Sequence, residues 1–341
     1  MPAPLSRRDF LKAFASAAAM LALPSLANAR GFGVYREWDR LSVAMVGIPR
    51  IRFPEEIPKA LIRGASSNWI TFLEKARGKE LHDAHPEMAE RLTSQMDGVV
   101  AHLEARGVTV LRPEVAIGHE IIAGPPSSSP FVCQIFPRDP WLVVGDQMVE
   151  CHMAQAYRER EIPSMRRAMA RWQSMAVQNR RAMPSPAILE GGDVLLLGDE
   201  ILVGISGQAS NLAGVRWLQQ EVGKRVKVYP VRLDSRFQHL DCALALPKPG
   251  LAIVCPEAFL DGIPATLKAW RVMSVSMGEA LGQMACNPLI LDERSLILPK
   301  GLPRLAEMIE SQGIHVTETP LDMPALFGGG LRCMHLALAR G

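Results

Sequence analysis

Cys333 follows three consecutive glycines, Gly328, Gly329 and Gly330, and then Leu331-Arg332. Glycines let a backbone approach a ligand closely and adopt conformations that other residues avoid. A cysteine in polar, electropositive surroundings can become a thiolate nucleophile. Three other short stretches put polar residues where strands should begin or end: Phe136-Pro137-Arg138-Asp139-Pro140, Leu189-Glu190-Gly191-Gly192-Asp193 and His239-Leu240-Asp241. Taken singly, each of these residues has an ordinary structural use. A cysteine is commonly a small buried hydrophobe, a histidine a satisfied surface or core residue, and an acid beside Gly or Pro a turn-forming group. Their joint occurrence is what points to chemistry.

A thiolate, an imidazole and the carboxylates Asp139, Glu190, Asp193 and Asp241 together suggest a substrate. Clustered carboxylates repel one another and are most comfortable around a cation. A guanidinium offers five N–H donors in a planar fork that pairs bidentately with carboxylates. Its carbon is a poor electrophile because of resonance, so attack requires a strong nucleophile and held geometry. A metal is the rival reading: Cys151-His152, His239 with Cys242, and Cys333 with His335 can be drawn as ligands. None has a recurrent zinc spacing. There is no phosphate-binding P-loop and no G-x-G-x-x-G opening a helix, so a nucleotide cofactor is not expected.

The elements that must position these residues form a repeated phrase. Hairpin patterns with Gly or Asp at the tip span Leu142 to Glu150, Val194 to Val203, Ala243 to Cys255 and Leu289 to Leu298. Helical spacing covers Met88 to Leu103, Asn211 to Val222 and Leu302 to Gln312. These lead into strand patterns at Val108 to Leu111, Val226 to Pro230 and Ile314 to Thr319, and Leu41 to Gly47 is a further short strand. Hairpin, helix, returning strand recurs about five times at a spacing of roughly fifty residues, as in modules too small to bury their own faces. The expected architecture is an α/β ring of five such ββαβ-type modules, with the four polar stretches facing its axis. An open doubly wound sheet would not call for a hairpin in every unit. No linker interrupts the chain, and Gly124 to Pro130 is too short to divide domains.

The 341 residues are 48% hydrophobic and 21% charged, with six cysteines, which suits a globular chain rather than a disordered one or a disulfide scaffold. The net charge is +3, and removing residues 1–29 leaves 35 basic against 34 acidic side chains. That balance gives no support for nucleic acid or an anionic membrane as partner. Those first residues read as an address. Arg7-Arg8 is followed by a mild apolar run, Ala13 to Leu23, and by Ala27-Asn28-Ala29, a small-residue cleavage site. The run falls short of the ~20 residues that span a bilayer. The pattern predicts a twin-arginine export signal cut after Ala29, the twin-arginine translocase as a partner during export, a periplasmic destination and no membrane anchor in the mature form. Residues 30–341 then form a single catalytic domain. Because twin-arginine substrates cross the membrane already folded, the cysteines are expected as free thiols.

Over most of the mature chain, from about residue 41 onward, the sequence resembles the guanidino-group-modifying superfamily, the five-bladed α/β propellers called penteins. Phe136-Pro137-Arg138-Asp139, continuing through Val144-Gly145-Asp146 to Glu150 and Met153-Ala154, is most similar to glycine amidinotransferases. Asn287 through Leu291-Asp292-Glu293 resembles their penultimate module. Leu189 to Val194 resembles the acidic motif of arginine deiminases and dimethylarginine hydrolases, while His239-Leu240-Asp241 and Gly328 to Cys333 match the superfamily's His-x-Asp and terminal Cys motifs. The resemblance implies that Cys333 attacks the guanidinium carbon to form an amidino-thioester-like intermediate. It implies that His239 protonates the departing amine and later accepts a proton. Glu190 would orient His239 or the guanidinium, Asp139 and Asp241 would hold its nitrogens, and Asp193 would bind substrate or only organise the turn. Arg138, Arg332 and the loop from Gly118 to Pro130 are candidates for a substrate carboxylate. No cofactor is implied. An amine attacking the intermediate makes the protein an amidinotransferase acting on arginine or a relative; water makes it a hydrolase. The Asp139 segment favours transfer, whereas Arg332-Cys333-Met334 and Glu190 lean to hydrolysis. A non-catalytic binding protein of the same fold is a third alternative.

Overall fold

The computed structural model describes residues 32–57, 66–116, 132–172 and 180–341. The export signal and the loop from Gly118 to Pro130 lie outside the described residues. Five three-stranded sheets repeat one pattern: a central strand pairs antiparallel with one neighbour and parallel with the other. In four of them the antiparallel pair is a hairpin of consecutive strands. These are Trp141–Val144 with Gln147–Glu150, Val194–Leu196 with Glu200–Ile205, Leu244–Lys248 with Leu251–Val254, and Leu289–Asp292 with Ser295–Pro299. The returning parallel strands are Arg180–Ala182, Lys227–Arg232, Arg271–Ser274 and His315–Thr319.

The fifth sheet is assembled from the two ends of the described chain. Leu41–Val46 pairs antiparallel with His335–Arg340 and parallel with Thr109–Leu111. The C-terminal strand therefore takes the place that the first hairpin strand takes in the other four. A two-residue pair, Ile51–Arg52 with Val132–Cys133, stands apart from the repeat.

Helices cover four of the five crossovers, three where the helical spacing predicts them and one, Ile162–Trp172, outside the predicted helical stretches. Pro86–Glu104 precedes Thr109–Leu111, Ile162–Trp172 precedes Arg180–Ala182, and Pro303–Glu310 precedes His315–Thr319. Leu212–Val222 is capped by the Asn211 side chain, which accepts the Gly214 N–H at 2.8 Å and so satisfies one otherwise orphaned helix donor. Between Leu251–Val254 and Arg271–Ser274 the chain carries only two short 3-10 turns, Pro256–Ala258 and Ala265–Leu267. The expected helix of that unit is absent, in keeping with a crossover that holds Pro256, Gly262 and Pro264, residues poor in helix interiors.

The antiparallel strands are largely buried on both faces, Leu251–Val254 and His335–Arg340 throughout, whereas returning strands such as Lys227–Arg232 and His315–Thr319 are mostly exposed or half-buried. Strands buried on both faces read as continuous apolar runs rather than alternating ones. Residues 32–341 form one compact unit. No helix among the described residues is long and apolar enough to cross a membrane.

Candidate active site

Every candidate residue sits in one recurring place, the turn just before the first strand of a sheet. Asp139 precedes Trp141–Val144, Glu190 to Asp193 precede Val194–Leu196, His239 and Asp241 precede Leu244–Lys248, and Cys333 precedes His335–Arg340. Two of these turns are single 3-10 turns, Gly191–Asp193 and Leu240–Cys242, which swing a polar side chain inward before the strand begins.

Cys333, His239 and Asp139 line one cavity of about 400 Å³ together with Arg158 and Gln238, and much of the remaining wall is aromatic, including Trp69, Phe136 and Phe327. His239 is held at both ring nitrogens. Nε2 lies 2.8 Å from Glu190 Oε2, and Nδ1 lies 3.7 Å from Asp139 Oδ1. Burial favours the neutral ring, but the Asp139 charge, the Glu190 hydrogen bond and the Asp193 charge outweigh it and raise the imidazole well above its ordinary value.

Glu190 is fully buried and anchored: Oε1 accepts the Ala154 N–H at 2.9 Å, which leaves Oε2 for the imidazole. Asp139 is anchored on one side only. Its Oδ2 accepts from Arg158 Nη1 at 2.6 Å, and Arg158 in turn pairs with Glu161 at 3.0 Å. Asp139 Oδ1 is buried without a hydrogen-bond partner. Burial would raise this carboxyl, but His239 and Arg158 hold it below the usual carboxylate range.

Glycine is required where these turns meet. A Cβ on Gly192 would stand 2.8 Å from the His239 ring and 2.9 Å from Asp139 Oδ1, and one on Gly330 would stand 2.4 Å from Asn287 Oδ1. Asp241 is fully buried beside the sulfur: its Oδ2 lies 3.6 Å from Cys333 Sγ and accepts from Arg332 Nη1 at 2.9 Å.

Three sequence-predicted substrate contacts are placed otherwise. Arg332 spends its donors inside the protein, on Glu37 at 3.1 and 3.0 Å, on Asp241 at 2.9 Å and on the Val194 carbonyl at 2.8 Å. It braces the Cys333 turn and has nothing to offer a substrate carboxylate. Arg138 is buried, donates to the His335 carbonyl at 3.1 Å, and does not line the cavity. Burial and the neighbouring Arg332 push its guanidinium down to about 9. Asp193 accepts the backbone N–H groups of Leu240 at 3.0 Å and Ser210 at 3.2 Å, and burial pushes its carboxyl up to about 7. It ties the His239 turn to the Glu190 turn and is a structural strut.

Other participants lie outside the sequence-predicted set. Arg158 sits in Tyr157-Arg158-Glu159-Arg160-Glu161, a charge run that reads as a solvated face yet is largely buried. Glu37 is buried as the main partner of Arg332. Asn287 precedes Leu289–Asp292 and so fills the recurring position in the one remaining sheet; the module period was a signal for it. All six cysteines are free thiols and buried. The histidines drawn as metal ligands have other partners: His152 pairs with Glu159 at 3.4 Å, and His335 Nδ1 lies 3.0 Å from the Leu331 carbonyl. Among the described residues only Asp241, Cys242 and Cys333 form a group of three whose ligand atoms all lie within 4.8 Å of one another. The Arg332 guanidinium already occupies Asp241, so a metal cation there would compete with a fixed positive charge.

The arginine deiminase family model matches residues 71–271, more than half of the chain, a span that holds Asp139, Glu190, His239 and Asp241 and ends before Cys333. The chain belongs to the arginine deiminase family. A twin-arginine signal model matches residues 4–24. Among curated relatives, the putative inosamine-phosphate amidinotransferase 2 of Streptomyces griseus is 25% identical over 90% of this chain and 96% of that protein. The solved inosamine-phosphate amidinotransferase of Streptomyces griseus superposes with a TM-score of 0.73 at 22% identity, over 91% of this chain and 97% of that one. A dimethylarginine dimethylaminohydrolase from Pseudomonas aeruginosa, complexed with citrulline, gives 0.60 at 19% identity, over 87% and 99%. Members of this mixed α/β pentein fold thus include both transferases and hydrolases.

Proposed function

We propose that the protein is a cysteine-dependent amidinotransferase that moves the amidino group of arginine or a related guanidino compound to an amine. The observation that carries this reading is the half-anchored carboxylate. Asp139 has one oxygen fixed by Arg158 and the other unpartnered, beside His239, in a cavity that Cys333 also lines. A buried acceptor without a donor is costly, and a guanidinium N–H supplies that donor. Asp241, 3.6 Å from the sulfur, is already paired with Arg332 at 2.9 Å, so a guanidinium reaching it would share that carboxylate.

The Cys333 sulfur, as a thiolate, bonds to the guanidinium carbon. The bond from that carbon to the alkyl nitrogen breaks as His239 gives that nitrogen its Nδ1 proton, releasing a neutral amine and leaving an S-amidino cysteine. Glu190 keeps the ring oriented throughout. An acceptor amine then bonds to the same carbon and gives its proton to His239, and the carbon–sulfur electron pair returns to sulfur. In the hydrolase alternative His239 protonates a terminal nitrogen instead, which leaves as ammonia; water then bonds to the carbon that still carries the alkyl nitrogen, gives a proton to His239, and the carbon–sulfur electron pair returns to sulfur, leaving a ureido product. Glu190, which leans to the hydrolases, favours this second reading. Transfer takes precedence because relatives matched over nine-tenths of the chain are named amidinotransferases.

Closure of the five sheets into a pseudo-fivefold ring is part of the same reading, since equivalent turns from all five sheets supply the residues around the sulfur and its cavity. So are cleavage after Ala29, residues 30–341 as a single catalytic domain, and the periplasm as destination. The test is incubation with arginine, with and without glycine or lysine, and mass spectrometry of the trapped protein. Expected are an amidino adduct on Cys333, none in Cys333→Ser, and ornithine turnover that requires the acceptor. Citrulline and ammonia formed without an acceptor would establish the hydrolase, and no adduct with any guanidino compound would overturn both.

A further inference from the structure

We propose that Asn287 is a positioning residue that holds the Cys333 sulfur in its anionic form. Its side chain is fully buried. Its orientation is fixed by its partners, because Oδ1 accepts two backbone N–H groups, Arg332 at 2.8 Å and Cys333 at 3.2 Å. The amide nitrogen must therefore face the other way. There it donates one hydrogen to the Asp241 carbonyl at 3.0 Å and the second to Cys333 Sγ at 3.2 Å. With two donors and two acceptor sites, the amide is fully used. A thiol sulfur is a weak acceptor, whereas an ionised acceptor makes a hydrogen bond about twice as strong. The contact is therefore worth more to the thiolate than to the thiol.

The surroundings of the sulfur make such a donor necessary. Asp241 Oδ2 lies 3.6 Å from Sγ and disfavours a second negative charge there. Arg332 faces that carboxylate and offsets part of its field. Cys242 Sγ, also within 4.8 Å, hydrogen-bonds Asp241 Oδ1 at 3.6 Å. His239 and Asp139 face the same cavity as the sulfur and pair with each other at 3.7 Å. Among these groups the neutral side-chain donors to the sulfur are Asn287 and the Cys242 thiol, and of the two the amide N–H is the stronger donor and the one fixed by its other partners. Gly330 makes room for it, since a Cβ there would stand 2.4 Å from Asn287 Oδ1.

The inference rests on Cys333 being the nucleophile, and its test is independent of turnover. The full chain is alkylated with iodoacetamide across pH 5–10, and the modified Cys333 peptide is quantified by mass spectrometry. In Asn287→Asp and Asn287→Ala the pH of half-maximal alkylation rate should rise by about one unit, a tenfold loss of reactive form at a given pH, as expected for losing a hydrogen bond to a charged group. Gly330→Ala, which displaces the amide without removing it, should move it in the same direction and covers the case in which the Asn287 variants do not fold. An unchanged alkylation profile in folded variants, even with activity lost, would reduce Asn287 to a structural tie and overturn the proposal. Failure of arginine to label Cys333 in the unaltered protein would instead overturn the proposed function.

Discussion

Glu190→Gln tests the acid–base machinery most directly, because the structure leaves the new amide no comfortable orientation. Glu190 accepts on both oxygens: Oε1 from the Ala154 N–H at 2.9 Å, Oε2 from the His239 ring at 2.8 Å. Glutamine has one acceptor oxygen and one donor nitrogen. If its oxygen keeps Ala154, its amide N–H faces an imidazolium N–H; if it turns, it faces the Ala154 N–H. Either the ring gives up its Nε2 proton or a backbone donor is left unmet. A hydrogen bond to a charged group is worth about 1.5–3 kcal/mol, which at 1.36 kcal/mol per decade is roughly 10- to 150-fold. His239 is raised above its ordinary value despite burial, by Asp139, by the Glu190 hydrogen bond, and by the Asp193 and Glu190 charges. Its acid form therefore persists as pH rises past the ordinary imidazole range, and removing Glu190 moves that limit down. In a steady-state assay of amine release, kcat should fall roughly 10- to 150-fold at pH 8–9, with a smaller loss near pH 6. A kcat–pH profile whose alkaline limb stays where it is in the unaltered protein would refute the role assigned to this carboxylate.

Two other substitutions separate the site from its supports. Gly192→Ala puts a methyl 2.8 Å from the His239 ring and 2.9 Å from Asp139 Oδ1, so activity should fall by roughly 100-fold, a loss typical of misplaced catalytic groups; full activity would mean that the ring has more room than its contacts allow. Arg332→Met strands Glu37 and Asp241 as buried charges and should lower stability to urea by about 3–5 kcal/mol. Burial opposes ionisation of Glu37, yet the Arg332 charge and hydrogen bonds hold it at about 2. The stability from that pairing is complete above the ordinary glutamate value of 4.5 and is lost only as pH falls through about 2. Urea midpoints at pH 7 and pH 4 should therefore show Arg332→Met weaker at both, and a variant equal to the parent at pH 7 would sink the assignment.

The fold was legible because its units are short and bounded by turn chemistry. Gly145-Asp146, Gly198-Asp199 and Pro249-Gly250 punctuate strands that are buried on both faces, and continuous apolar runs between such residues leave few alternatives. Two features escaped. The crossover from Val254 to Arg271 lacks its helix. The first sheet borrows its antiparallel partner from the C-terminus, a pairing of Leu41 with Arg340 that no local pattern encodes.

The site was legible in the groups that act and obscure in those that hold them, and the reason is electrostatic. Cys333 and Glu190 stand beside glycines that the close approach of turns requires, Asp139 stands between prolines, and His239 is marked by its spacing to Asp241. The residues that fix them are arginines and acids whose types look solvated: Arg158 between Asp139 and Glu161, and Arg332 between Glu37 and Asp241. In both triads one buried cation sits between two buried carboxylates, and other buried cations stand close by: Arg138 and Arg340 also favour the ionised form of Glu37, and His239 that of Asp139. With their own donors spent on these carboxylates, Arg158 and Arg332 are braces: they fix the carboxylates in place before substrate arrives, so recognition costs little reorganisation. The two arginines that the sequence offers for a substrate carboxylate, Arg138 and Arg332, are spent in the same way: both point into the protein, onto the His335 carbonyl and onto Glu37 and Asp241.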